Sequence, residues 1–184
     1  MSAEEVVDAV TGSNVVLVLT NRENFRDLAN GVAGGLLEEG FRGIFFTADR
    51  TYREVQEDME YSGFDTEDLW FIDIVGSNRG ISEAPEDVEL TNSPTAYNSI
   101  NIALTDLFDE IEGEERFVLL DSFTSFLLYG DLKTVGNFVK RATDKAREND
   151  AAFIIMAIGD QIDEETVEKL MSFCDTKIDC SDEG

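Results

Sequence analysis

Residues 116–160 read RFVLLDSFTSFLLYGDLKTVGNFVKRATDKARENDAAFIIMAIGD, and the order of apolar runs within them decides the fold. Residues 117–120 (FVLL) and 151–158 (AAFIIMAI) are continuous apolar runs of strand length, without the alternation of a strand that wets one face. Such runs belong to strands buried on both faces of a parallel sheet. Residues 132–148 between them read as a helix, the crossover that two parallel strands require. The stretch is therefore predicted to be one strand, helix, strand unit.

The same alternation extends to both sides. Toward the N-terminus, residues 14–19 (NVVLVL) are a first buried strand, and residues 25–39 (FRDLANGVAGGLLEE) a helix stopped by Gly40. Gly31, Gly34 and Gly35 weaken that helix, and with Ala33 these small residues are expected to allow it to pack closely on the sheet. Residues 43–47 (GIFFT) form a second strand. Thr51 with Glu54 makes a capping box that opens a helix ending near Ser62 and Gly63. Residues 69–75 (LWFIDIV) form a third strand, and residues 76–93, rich in Gly, Ser, Asn and acids without periodicity, the longest loop. Ser93 and Pro94 are placed to cap and open a helix reaching about Ile111. On the C-terminal side, residues 164–173 read as the last helix and 176–180 as a closing strand. The expected architecture is a single three-layer α/β domain over residues 1–184, with a mainly parallel central sheet and helices on both faces.

The composition is far from neutral. Forty Asp and Glu against 14 Lys and Arg, with no His, give a net charge of −26, while 42% hydrophobic residues support a folded core. The acids are spread over nearly every predicted helix and read as a solvated coat. At about 1 M salt the Debye length falls to roughly 3 Å and such a coat stops repelling itself. A salt-accumulating cytoplasm is therefore expected. Read along the chain, the cations are scattered, so neither nucleic acid nor an anionic membrane is an expected partner. No apolar run approaches the roughly 20 residues of a membrane span, and MSAEEVVDAV lacks the basic and apolar regions of a secretory signal. Cys174 and Cys180 are expected to be reduced, structural thiols, because a zinc site needs more ligands.

In a sheet of this kind ligands sit outside the carboxyl ends of the strands. That rule gathers residues 20–22, 47–50, 121–122 and 159–160 around one crevice. Asp121 closes an apolar strand at that edge, where NTPases hold magnesium through water; it can equally cap a turn through Ser122 and Thr124. Asp49 fits a helix cap. Arg22, Arg26 and Arg50 could together grip a phosphate or carboxylate, or pair with neighbouring acids. Phe123, Phe126, Leu127, Leu128 and Tyr129 follow a strand end where loops normally turn polar. They offer an association surface, or an apolar start to the next helix.

The stretch 116–160, followed by EETVEKLMSFCDTKID, resembles the second half of archaeal RecA/KaiC-like ATPases: an apolar strand, Asp-Ser, a Thr/Ser-rich loop, a helix and another buried strand. LANGVAGGLLEEGFRGIFFTADR and SGFDTEDLWFIDIVG are similar to the first helix, second strand and third strand of that family. The resemblance covers most of the chain and implies the RecA-like P-loop NTPase fold. It would make Asp121 the magnesium-site acid and Asp49 the counterpart of the catalytic Glu. The family's phosphate loop, G-x-x-x-x-G-K-S/T, is replaced by TNRENFRD, which has neither Gly nor Lys. Backbone N–H groups cannot close round a phosphate there as they do in a glycine-rich loop.

These readings lead to a non-catalytic RecA/KaiC-like regulatory or assembly protein of a haloarchaeal cytoplasm, acting through a protein partner or as a homo-oligomer. No cofactor and no metal is expected on this reading. The alternative is a nucleotide- or anion-binding module, with ATP and magnesium at Asp121, Ser122, Arg22, Arg26, Asp49 and Arg50. An unrelated doubly wound domain of methyltransferase-like type is the third reading, and it too should carry a glycine-rich first loop.

Overall fold

The computed structural model describes residues 2–181. Seven strands form the sheet: β1 (Val15–Thr20), β2 (Arg42–Thr47), β3 (Leu69–Asp73), β4 (Val88–Leu90), β5 (Arg116–Asp121), β6 (Ala151–Ile158) and β7 (Thr176–Asp179). Their order is β4-β3-β2-β5-β6-β1-β7 and every pairing is parallel. The helices are α1 (Ala3–Ala9), α2 (Phe25–Glu38), α3 (Tyr52–Tyr61), α4 (Tyr97–Glu110), α5 (Phe123–Phe126), α6 (Leu132–Glu148) and α7 (Glu164–Met171).

Alternation within each strand sorts the core into two halves. Val15, Leu17 and Leu19 of β1 join Phe46, Val118, Leu120, Phe153 and Ile155 under α4, α5, α6 and α7. Val16 and Val18 join Phe45, Phe71, Leu119 and Ile154 under α1, α2 and α3. Both faces of the central strands are thus dry, which is why they carry unbroken apolar runs. The architecture is the three-layer α/β arrangement expected from the sequence, with an all-parallel sheet.

Three local expectations change. The loop predicted over 76–93 contains a 3-10 turn at Ser77–Arg79 and the edge strand β4, which pairs with β3 over only three residues. A strand that short has no periodicity to read. The helix expected from Ser93 begins instead at Tyr97. Residues 93–96 close a turn, with the Ala96 N–H donating to the Ser93 carbonyl at 3.1 Å. The small residues of α2 do not all serve the sheet. A Cβ on Gly34 would lie 2.3 Å from the Phe64 ring, and one on Gly35 would lie 2.9 Å from Val7 of α1. Gly31 and Gly35 therefore admit α1, a helix that no sequence expectation covered.

The capping box opening α3 is as read: the Glu54 N–H donates to Thr51 Oγ1 at 3.3 Å, and the Thr51 N–H donates to Glu54 at 2.7 Å. Among the described residues no helix is long and apolar enough to cross a membrane. Cys174 and Cys180 are both free thiols, and burial pushes Cys174 up to about 12. At pH 8 iodoacetamide is expected to alkylate native Cys174 about a thousandfold more slowly than the unfolded chain, because only the thiolate reacts. Mass spectrometry before and after denaturation measures the ratio.

Candidate functional site

Four strands end at the carboxyl edge on a polar residue that shares the α1–α3 side: Thr20 of β1, Thr47 of β2, Asp73 of β3 and Asp121 of β5. All are buried. Asp73 is saturated by backbone, accepting from the N–H groups of Tyr52 at 2.8 Å, Val75 at 3.0 Å and Gly76 at 2.6 Å. It anchors the start of α3 and the turn after β3. Thr47 donates its hydroxyl to the Arg50 carbonyl and holds the turn after β2.

That turn sends Arg50 inward. Its guanidinium donates to Asp121 Oδ2 at 2.9 Å, to Asn30 Oδ1 of α2 at 3.1 Å and to Asp58 Oδ2 of α3 at 3.0 Å. Arg50 is 2% exposed and Asp121 is 1% exposed. Burial pushes the Asp121 carboxyl up, and the charge and hydrogen bond of Arg50 oppose that push. Ser122, joined to Asp121 by a cis peptide bond, caps α5 by accepting from the Ser125 N–H at 3.2 Å.

Above this pair lies a cleft of about 310 Å³, bordered by Arg22, Phe25, Arg26, Asp49, Ser122 and Leu128. The three arginines expected to converge here are separated: Arg22 and Arg26 line the cleft with exposed side chains, whereas Arg50 is turned beneath it. Arg26 and Asp49 approach to 3.6 Å, both exposed, a contact that solvent largely screens. Phe123 and Phe126 are also corrected. They are fully buried, with Phe126 5.3 Å from the Phe138 ring, so they are core and not surface. Leu128 and Tyr129 do remain in solvent, 81% and 49% exposed, and Leu128 stands on the rim of the cleft.

A magnesium triphosphate does not fit these residues in the manner the family resemblance implies. The one acid placed for magnesium is buried against a guanidinium. In the loop from β1 to α2, Asn21 Oδ1 accepts the Asn24 N–H at 2.9 Å, taking a donor of the kind a phosphate would need. Among the described residues no group of three or more acidic or Cys side chains is placed to hold a metal.

A larger cleft, of about 520 Å³, opens on the other side of the sheet between α4 and α6. It corrects the expectation that the cations are scattered: α6 alone carries Lys133, Lys140, Arg141, Lys145 and Arg147. The signal was present in the sequence as basic residues at 133, 141 and 145, eight and four apart and so on one face of a helix.

A model of a family of unknown function (DUF7504) matches residues 12–180. No curated protein matches the chain. Several solved structures share the fold. An uncharacterized Pyrococcus horikoshii protein, PH0321, crystallised in complex with an unknown peptide, superposes with a TM-score of 0.67 at 14% identity, over 97% of this chain and 84% of that one. A KaiC-like protein of the hyperthermophilic archaeon P. horikoshii OT3, PH0186, gives 0.61 at 15% identity, over 91% and 72%. A third protein of that organism, PH0250, gives 0.64 at 11% identity, over 100% and 90%. At such identities the likeness carries the fold alone, and that fold is RecA-like.

Proposed function

The chain belongs to the DUF7504 family of unknown function, and from that premise we propose a RecA/KaiC-like module that does not hydrolyse ATP and works through contacts with other proteins in a high-salt, haloarchaeal cytoplasm. The observation that carries the proposal is the buried Arg50–Asp121 pair: the guanidinium lies where the NTPase acid would otherwise face magnesium. The absence of Gly and Lys from TNRENFRD points the same way. Leu128, on the rim of the cleft, and the exposed Tyr129 that follows it are suited to a protein contact. The neighbour crystallised with an unknown peptide is a precedent for polypeptide binding on this fold.

Thermal unfolding in multimolar KCl tests this reading. Mg-ATP and Mg-ADP are expected to leave the midpoint unchanged. Saturating a native site at 100 times its Kd adds about 2.7 kcal/mol, a rise of several degrees for a chain of this size. Such a rise, or magnesium-dependent ATP turnover, overturns the reading.

A second reading is favoured by Arg22, which lines the cleft without an ion pair among the described residues. On that reading the cleft holds a small anion between Arg22 and Arg26. A midpoint raised by phosphate in the natural chain but not in Arg22→Ala/Arg26→Ala would select it.

A further inference from the structure

We propose that the groove between α4 and α6 is the docking site for an amphipathic acidic helix of a partner protein. The inference rests on reading the chain as a protein-interaction module, and it adds where the partner binds and what chemistry it presents.

Two adjoining clefts form the groove, about 520 and 540 Å³, sharing Asn98, Asn101 and Arg141. One wall is the α6 row Lys133, Asn137, Arg141 and Lys145. Residues four apart on a helix share a face at about 6 Å intervals, so the row runs roughly 18 Å. The other wall is the α4 row Asn98, Asn101, Ile102 and Thr105, spaced as one helical stripe. Lys140 and Arg147, on other sides of α6, are paired with Asp144 and Asp175 at 2.8 and 3.0 Å. Lys133, Arg141 and Lys145 have no ion pair among the described residues. Asp131 also lines the groove, its carboxylate accepting from the Thr134 N–H and hydroxyl; three unpaired cations against that one acid still leave the groove positive in a chain of net charge −26.

The shape of this patch selects the partner. Ile102 is 61% exposed in the middle of the stripe, an apolar contact that a phosphodiester backbone cannot use. The overall negative field also opposes a long polyanion. A helix with carboxylates at every fourth position repeats at the same interval of about 6 Å as the row Lys133, Asn137, Arg141 and Lys145, and its apolar face can cover Ile102. Amide side chains of Asn98, Asn101 and Asn137 supply donors and acceptors along the walls.

The test uses a labelled helical peptide of about twelve residues, the length of the groove, with Glu at every fourth position beside Leu. Its Gln counterpart and a single-stranded oligodeoxynucleotide of equal charge are the comparisons. Fluorescence anisotropy without nucleotide, at two KCl concentrations, is expected to show saturable binding of the Glu peptide only. Arg141→Glu/Lys145→Glu and, separately, Ile102→Ser should each weaken it by about tenfold or more, with unchanged thermal midpoints because these side chains are exposed or half-buried. Amide shift mapping on the natural chain gives a readout free of substitutions: perturbations confined to α4 and α6 support the site, and perturbations elsewhere overturn it. Equal binding of the Gln peptide, preference for DNA, no saturable binding, or unaltered affinity in the variants each overturns the proposal. So does a homo-oligomer of the chain alone that the charge-reversal variant dissolves, since the occupant would then be a second copy. ATP turnover would defeat the non-hydrolysing module while leaving these binding results to stand or fall separately.

Discussion

Asp121→Ala is expected to destabilise the protein by about 3–5 kcal/mol, a fall in Tm of about 10 °C for a chain of this length. The substitution leaves the Arg50 guanidinium 2% exposed, with Asn30 and the partly exposed Asp58 as its remaining partners. The loss is the cost of a buried charge left with one half-exposed carboxylate at 3.0 Å, not the net value of the pair. An acid kept free for magnesium would behave in the opposite way, since its removal relieves rather than creates an unpaired buried charge. The double variant Arg50→Met/Asp121→Leu should therefore recover much of the stability lost in either single variant, and a thermodynamic cycle at constant KCl measures this.

Arg50→Met carries a pH signature of its own. With the guanidinium gone, the main opposition to the burial that already pushes Asp121 up is removed, and only the more distant charge of Arg26 still counters it. The folded state then holds a proton that the unfolded chain has released. Stability of the variant is fullest below the ordinary aspartate range and falls as pH rises through the raised native value. A variant whose stability is flat across that window would mean that Asp121 is solvated once Arg50 is removed.

The second large effect is expected at Phe126. Phe126→Ala should cost about 3–5 kcal/mol, because the residue is fully buried and its ring packs tilted, 5.3 Å from that of Phe138, which in turn lies 4.9 Å from Tyr97. Leu128→Ser, two residues away and 81% exposed, should stay within about 0.5 kcal/mol. Chemical denaturation of both variants separates a core aromatic from a surface leucine within the same apolar segment. The aromatic row also underlies the α4–α6 groove, so Phe126→Ala is expected to weaken acidic-peptide binding indirectly, through Tyr97 and Phe138.

Residues 117–120 and 151–158 announce two central strands, residues 132–148 the helix between them, and Thr51 with Glu54 the start of α3. Each of these depends on neighbours within a few positions, through burial period, capping or propensity, and is legible from one dimension. The three-residue β4 and the fit of α1 against Gly31 and Gly35 are not, because both are stabilised by contacts distant in the chain. The candidate site divides in the same way. That Asp121 ends a buried strand could be read directly. That Arg50 reaches it under Asn30 and Asp58 required β2 to lie beside β5, with α2 and α3 on one face. Phe123 and Phe126 look like a surface until the sheet order places α5 over the core. Lys133, Arg141 and Lys145 become a groove only when α4, from the far edge of the sheet, packs alongside α6. Local periodicity specifies which face of each element is apolar. Which faces meet depends on long-range strand pairing, whose free energy belongs to no single segment.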